Sequence, residues 1–88
     1  KLTEEILVNA SSLRLDAIIS SLAHVSRSEA TMMLRRGFVK LNDVVLEENR
    51  QLCNNDFVSI RRCGRFQFKE VKTVTKKGRL LLRFDKFI

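Results

Sequence analysis

The chain has 88 residues, 44% of them hydrophobic, which suits one small domain over residues 1–88 with its own core. No apolar run is long enough to cross a bilayer and nothing resembles a signal peptide, so we expect a cytoplasmic protein without a membrane partner. The one histidine and two cysteines lack the spacing of a metal site, so we expect no metal, no other cofactor and no disulfide. Because the sequence starts with Lys1 rather than Met, we expect a fragment of a longer protein.

The net charge of +7 is unevenly distributed along the chain. Residues 1–33 carry three basic and four acidic side chains, whereas residues 34–88 carry fourteen basic and six acidic ones. Such asymmetry indicates a polyanionic partner, with nucleic acid the first choice and an anionic membrane the second. The alternative is a domain that is basic without having a polyanionic partner.

The N-terminal segment is typical of a strand followed by a short helix. Glu4–Asn9 is an apolar run that we interpret as an entering strand. We expect Ser11 or Ser12 to cap the first helix. Residues of its apolar face recur at helical spacing, namely Leu15, Ile18, Ile19 and Leu22. Arg14 and Asp16 are expected to point away from that face.

A second helix is predicted over residues 27–36. Ser26 and Glu29 form the pattern S-x-x-E, in which each side chain satisfies a free amide at a helix start. Gly37 is placed to end the helix in a left-handed turn. The predicted buried face comprises Ala30, Met33, Leu34 and Gly37. Arg27, Thr31 and Arg35 fall on a different, exposed stripe, which we expect to contact the phosphates of RNA.

After Gly37 the hydrophobic period changes from helical to alternating, which predicts strands at 38–42, 44–46 and 57–62. The end of the chain is typical of a β-hairpin over about 65–88, with its turn at Lys76–Gly78. The inward residues are predicted to be Val39, Leu41, Val58, Ile60, Phe66, Phe68, Leu80, Leu82 and Phe84. The elements together predict an α+β domain.

Arg27, Arg35, Arg36 and Lys40 are the first candidates for phosphate contacts, because planar guanidinium groups bind phosphate oxygens in a bidentate way. We expect these four groups to lie close together with only Glu29 nearby to neutralise them. The alternative is a solvated helix face. Arg14 either joins this group, if the two helices pack across each other, or forms a local ion pair with Asp16 or Glu29.

Further candidates lie on the predicted strands. The Asn42 amide is able to bond ribose or phosphate, but a hairpin turn explains an asparagine there equally well. Arg61, Arg62 and Arg65 flank Gly64 and form a second possible phosphate contact or an exposed bend. Phe38 and Phe57 fall on the polar faces of their strands.

No catalytic constellation is present in the sequence. His24 has no nucleophile partner, the carboxylates are scattered, and neither a P-loop nor G-x-G-x-x-G occurs. We therefore expect no catalytic residues, no small-molecule substrate and a binding module rather than an enzyme.

Four separated motifs occur in the order found in one known family. They are RLDA (14–17), SRSEA (26–30), RRGFVKLN (35–42) and NDFVSI (55–60). Together, over about residues 12–62, they resemble the S-four RNA-binding domain. Asp43 and Asn55 stand where that family has glycine, and both types tolerate left-handed turns. The ending CGRFQF (63–68) and TKKGRLLL (75–82) is similar to the C-terminal part of YlmH-type S-four proteins.

The resemblance implies two short helices packed on a small, bent, mostly antiparallel sheet. It also implies structured RNA as the partner, either ribosomal RNA or tRNA, on the large ribosomal subunit and in ribosome-associated quality control. The RNA contacts implied by position are Arg14, Ser26, Arg27, Arg35, Arg36, Lys40 and Asn42. Because the same domain type is attached to pseudouridine synthases and RNA methyltransferases, the alternative is the RNA-targeting domain of an RNA-modifying enzyme.

Overall fold

A computed structural model describes residues 2–88 and confirms the α+β class. Along the chain, one strand is followed by two helices and then by five further strands. The elements are β1 (Thr3–Ala10), α1 (Leu15–Ala23), α2 (Arg27–Arg35), β2 (Val39–Leu41), β3 (Val44–Val45), β4 (Phe57–Ile60), β5 (Gly64–Val74) and β6 (Leu80–Phe87). The predicted entering strand, the second helix, the short strands and the C-terminal hairpin are all present.

The strands form a single sheet in the order β1-β6-β5-β4-β2-β3, in which every pair is antiparallel. One face of this sheet packs against both helices. The core between them contains α1, α2 and the inward strand residues, among which Val39, Val58, Phe68, Leu82 and Phe84 are completely buried. The opposite face carries no helix, so its side chains are available to solvent or to a partner.

Helix α1 begins later than the serines predicted to cap it. Its N-cap is Arg14, and the Ser12 hydroxyl accepts a hydrogen bond from the Arg14 amide rather than from an amide inside the helix. The free amide of Asp16 instead donates to the Asn49 side chain at 3.1 Å. The prediction was wrong because the capping group comes from a loop 33 residues away, which local patterns do not reveal.

Helix α2 begins where the sequence predicts and ends at Arg35, one residue before its predicted end. The Ser26 hydroxyl accepts a hydrogen bond from the Glu29 amide at 3.1 Å, which satisfies one free donor of the first turn. Within residues 2–88 the Glu29 carboxylate accepts no reciprocal bond, so only half of the predicted capping box forms. Gly37 has φ +75°, a left-handed conformation that lets the chain leave the helix and enter β2.

Asp43 and Asn55, which stand where the similar family has glycine, both adopt a left-handed backbone conformation. Asp43 has φ +70° and Asn55 has φ +72°. Asx side chains tolerate this region better than other non-glycine residues, so both turns form without glycine. The β2–β3 and pre-β4 turns therefore retain the geometry expected from the sequence.

Candidate functional site

Asp16 lies at the interface between the two helices and not on an exposed face. Its residue is only 8% exposed, and its Oδ2 accepts a hydrogen bond from Nη2 of Arg27 at 3.0 Å. Arg27 also donates to the Ser11 hydroxyl at 3.1 Å. The expectation that Asp16 points away was wrong because its side chain turns inward to join α1 to α2. Arg27 is thus committed to contacts inside the protein, although half of its side chain stays exposed.

The carboxyl group of Asp16 is held in its charged form. Burial alone would raise its pKa, but hydrogen bonds from Arg27 and Asn49, the charge of Arg27 and the Ala17 amide together outweigh burial. The pKa of Asp16 therefore lies below its ordinary value of 3.8. Arg14 contributes a longer contact, with its Nε 3.7 Å from Asp16 Oδ1. The local ion pair proposed for Arg14 is thus formed with Asp16.

The exposed stripe of α2 opens onto a groove of mixed charge, defined here as the mixed-charge groove. Its charged lining consists of Arg14, Asp16, Arg35, Glu47 and Glu48. Thr31 also lines it, with its hydroxyl donating to the Arg27 carbonyl at 3.0 Å. The expectation that Arg27, Arg35, Arg36 and Lys40 lie together with only Glu29 nearby was wrong. Of these four, Arg35 lines this groove, and the loop after β3 brings two glutamates to it.

Backbone hydrogen bonds to the start of α1 hold the loop after β3 in this position. The Leu15 amide donates to the Arg50 carbonyl at 2.8 Å, and the Leu52 amide donates to the Leu13 carbonyl at the same distance. Leu52 is buried, which anchors the loop in the core. The glutamates of the mixed-charge groove are therefore part of the folded structure and act against binding of phosphate there.

Asn42 uses its side chain within the protein. Its Oδ1 accepts a bond from the Phe57 amide at 2.9 Å, and its Nδ2 donates to Asp56 at 3.1 Å. Asn42 has φ +51°, as expected of a turn residue. The turn interpretation of Asn42 therefore accounts for both ends of its amide. Arg36 is the exposed C-cap of α2.

A second groove, defined here as the basic groove, contains Lys40, Arg61, Arg62 and Arg65. Lys40 pairs with Ser59, and Ser59 pairs with Arg65, so these three side chains form one row across β2, β4 and β5. Their neighbours Val39 and Ile60 point into the core, which places the row on the face that carries no helix. The structure thus brings together four candidates that the sequence had assigned to two separate groups.

The basic groove keeps most of its positive charge. Among residues 2–88, Asp43 is the one acidic side chain in its lining, and its Oδ1 lies 3.1 Å from Nη1 of Arg65. Lys40, Arg61 and Arg62 form no ion pair with any of residues 2–88. The basic groove is therefore the better site for an anion than the mixed-charge groove.

Two arginines of the basic groove lie over aromatic rings. The Arg61 guanidinium carbon is 4.4 Å from the centre of the Phe38 ring. That of Arg65 is 4.7 Å from the Phe57 ring and 5.5 Å from the Phe87 ring. Phe57 thus lies on the helix-free face, as its position in β4 predicts, whereas Phe38 precedes β2 and also lines a pocket with Glu29 and Met33 of α2. Phe66, Phe68 and Phe84 are buried.

The described residues contain no group of three or more histidine, cysteine or acidic side chains arranged to hold a metal. Cys53 and Cys63 are free thiols. Burial raises the pKa of the Cys63 thiol, and the charge of Lys86 opposes this only in part, so the thiol remains protonated near neutrality. Neither helix within residues 2–88 is long and apolar enough to span a membrane.

Comparison with known proteins finds a relative that is described as ribosome-associated. The chain is 34% identical over 77 residues to the ribosome-associated protein quality control protein P2 of Bacillus subtilis (strain 168). The match covers 86% of this chain and 30% of the relative, so the chain spans less than a third of that protein's length. The similarity is consistent with the YlmH-type relation indicated by the C-terminal motifs. No protein-family model matches the chain.

Three acidic residues shape the site in ways that the sequence did not predict: Asp16 was expected on an exposed face, and Glu47 and Glu48 were not considered. Asp16 borders the apolar face of α1, three residues before Ile19, and this spacing was a signal for an inward position. Glu47 and Glu48 gave no comparable signal, since they reach α2 only through long-range pairing of their loop. The tertiary structure therefore determines which arginines remain free to bind an anion.

Proposed function

We propose that this chain is an RNA-binding module of a ribosome-associated protein and that it binds structured RNA, ribosomal RNA or tRNA, through backbone phosphates in the basic groove. The observation that carries this proposal is the convergence of Lys40, Arg61, Arg62 and Arg65 in one groove. Asp43 is the acidic residue of its lining, and Glu29 lines an adjoining pocket with Arg61 and Arg62. Folded RNA presents closely spaced phosphates, and a rigid cluster of cations on a sheet matches such an array.

The rigidity of the basic groove supports this role. Lys40 and Arg65 project from hydrogen-bonded strands, and Arg61 rests on the Phe38 ring. Arg61 and Arg65, which are held against aromatic rings, lose less conformational entropy on binding than free surface side chains do. Their charge attracts the RNA at long range, and their fixed positions select its shape.

The helix arginines have different roles in this proposal. Arg27 is a positioning residue that fixes α2 on α1 through Asp16. Arg35 and Arg36 lie on the exposed side of α2 and supply weaker phosphate contacts, since Glu47 and Glu48 reduce the positive potential around Arg35. Ser26 and Asn42 hold the local backbone, and the RNA contacts implied for them are secondary.

The relative supports the biological setting. Its name describes a ribosome-associated protein of protein quality control, and the matched segment spans most of this chain. We infer that this chain likewise acts at the ribosome in the cytoplasm, with the large subunit as its partner. Its role there is binding without chemistry, because the ionisable lining of the basic groove consists of cations, the paired Asp43 and the protonated Cys63.

A pair of double variants with equal net charge tests the proposal. Lys40→Gln/Arg62→Gln removes two cations from the basic groove, whereas Lys76→Gln/Lys77→Gln removes two from the tip of the C-terminal hairpin. Fluorescence anisotropy with a labelled RNA hairpin measures both. We expect the groove variant to bind about 10- to 100-fold more weakly, and the tip variant to bind within about threefold of the wild type. Equal losses in the two variants would contradict the proposal.

A further inference from the structure

Arg65 has surroundings that no other arginine of the described residues shares. Its guanidinium lies over two rings at once, Phe57 and Phe87, whose centres are 5.9 Å apart. Both rings are half-buried on the helix-free face of the sheet, away from the core. The inner side of the Arg65 guanidinium is therefore backed by aromatic surface.

Arg65 is also held from the side. Its Nη1 donates to Asp43 Oδ1 at 3.1 Å, which restricts rotation of the guanidinium over the rings. The side chain of Arg65 remains 40% exposed, so the guanidinium is accessible to a partner. A flat, cationic surface is thus fixed beside Lys40 and Arg62 in the basic groove.

We propose that the guanidinium plane of Arg65 is the stacking platform for one unpaired nucleobase of the bound RNA. This inference rests on the proposed function and deepens it, because it identifies the RNA as a folded one that carries an extruded nucleotide. The base stacks on the outer face of the guanidinium, while Lys40 and Arg62 contact the phosphates on either side of that nucleotide.

The chemistry of the groove favours this occupant. Unpaired bases in RNA complexes stack on aromatic rings and on arginine guanidinium planes, and stacking tolerates every base because each has a π face. A guanidinium already fixed by Asp43 and the two rings has little rotational freedom left to lose. If Arg65 served only to cover Phe57 and Phe87, a base on its outer face would add nothing to binding.

The test compares two RNA hairpins that differ at one position. Both carry a single-nucleotide bulge in the stem, which is adenosine in one hairpin and an abasic ribose in the other. The 88-residue chain is used as wild type, Arg65→Lys and Arg62→Lys, and all three proteins have the same net charge. Arg65→Lys removes the plane but keeps the cation, and Arg62→Lys makes the same exchange where no ring lies beneath the arginine.

We expect the wild type to bind the adenosine hairpin about five- to tenfold more tightly than the abasic one. Arg65→Lys should reduce this ratio to about one, and Arg62→Lys should leave it unchanged. Because every protein is measured with the same two hairpins, a change in this affinity ratio between proteins is caused by the substitution and not by a difference between the RNAs. Circular dichroism melting checks that both variants are folded.

Three results overturn the inference, and the first two are separable from failure of the proposed function. If the wild type binds both hairpins equally well, RNA binding stands but the stacking platform does not exist. If Arg65→Lys keeps the wild-type ratio, the base is recognised elsewhere. If neither hairpin is bound, the proposed function fails and the inference fails with it.

Discussion

Arg27 Nη2 lies 3.0 Å from Asp16 Oδ2 and joins the second helix to the first. Asp16 is nearly buried, and Arg27 supplies both a hydrogen bond and a compensating charge to its carboxylate. An arginine whose sequence position indicates a phosphate contact is thereby part of the helix interface. Arg27 therefore maintains the fold, unlike the arginines that are free to bind a partner.

Replacing Arg27 should destabilise the domain. Arg27→Ala leaves the Asp16 carboxylate without its main partner in a nearly buried place, which we expect to cost about 1–3 kcal/mol of unfolding free energy. Arg35→Ala is the matched control, because Arg35 lies on the same helix and forms no ion pair with any of residues 2–88. Urea unfolding at pH 7 measures both variants. A stable Arg27→Ala protein would show that the pair contributes nothing.

The stability of the domain should also depend on pH through Asp16. Because the folded-state pKa of Asp16 is lowered from 3.8, its ionised form stabilises the native state above that pH. This contribution is lost as the pH falls below 3.8 and through the lower folded-state pKa. We expect the stability difference between wild type and Asp16→Asn to shrink over that range. Urea midpoints measured between pH 6 and pH 2 test this, and a constant difference would contradict it.

Gly37→Val should destabilise the domain because of backbone conformation and not because of crowding. A Cβ at Gly37 would lie 3.5 Å from Val45 Cγ1, which is ordinary contact, but φ there is +75°. A β-branched residue in the left-handed region costs about 1–2 kcal/mol. Thermal melting should therefore show a lower Tm, and Gly37→Asn, which tolerates this region better, should lose less. Equal Tm values for wild type and Gly37→Val would show that position 37 does not require a left-handed backbone conformation.

The chain should prefer a folded RNA and leave it chemically unchanged. A fixed row of cations fits the phosphates of a helix–loop better than those of a flexible strand of equal length. Competition binding at one salt concentration compares the two RNAs. Mass spectrometry of the recovered nucleosides and a tritium-release assay for uridine isomerisation check for modification. Equal affinity for both RNAs would contradict the preference for folded RNA. A modified nucleoside would show that the chain is an enzyme.

Most of the secondary structure could be predicted from local patterns. The change from helical to alternating period after Gly37 located α2, β2 and the strands that follow, and the S-x-x-E pattern located the start of α2. The cap of α1 could not be predicted, because Asn49 reaches it from a distant loop. Periodicity describes neighbours along the chain and carries no information about such pairings.

The candidate site was predictable in composition but not in arrangement. Arg61, Arg62 and Arg65 were recognised as one basic group, and Lys40 as part of another. Their union in the basic groove depends on the register that pairs Lys40 with Ser59 and Ser59 with Arg65. The neutralisation of the α2 face likewise depends on the loop after β3. Strand register and loop docking are long-range features that local sequence patterns do not reveal.

The salt dependence of RNA binding by two double variants tests the central claim most directly. Wild type and Lys76→Gln/Lys77→Gln should both give a slope of log K against log salt of about −3 to −5, because each keeps the cations of the basic groove. Lys40→Gln/Arg62→Gln should give a slope shallower by about 1.4 to 1.8, since two phosphate contacts are lost. If the groove variant keeps the wild-type slope while the hairpin-tip variant loses it, the RNA is not bound in the basic groove.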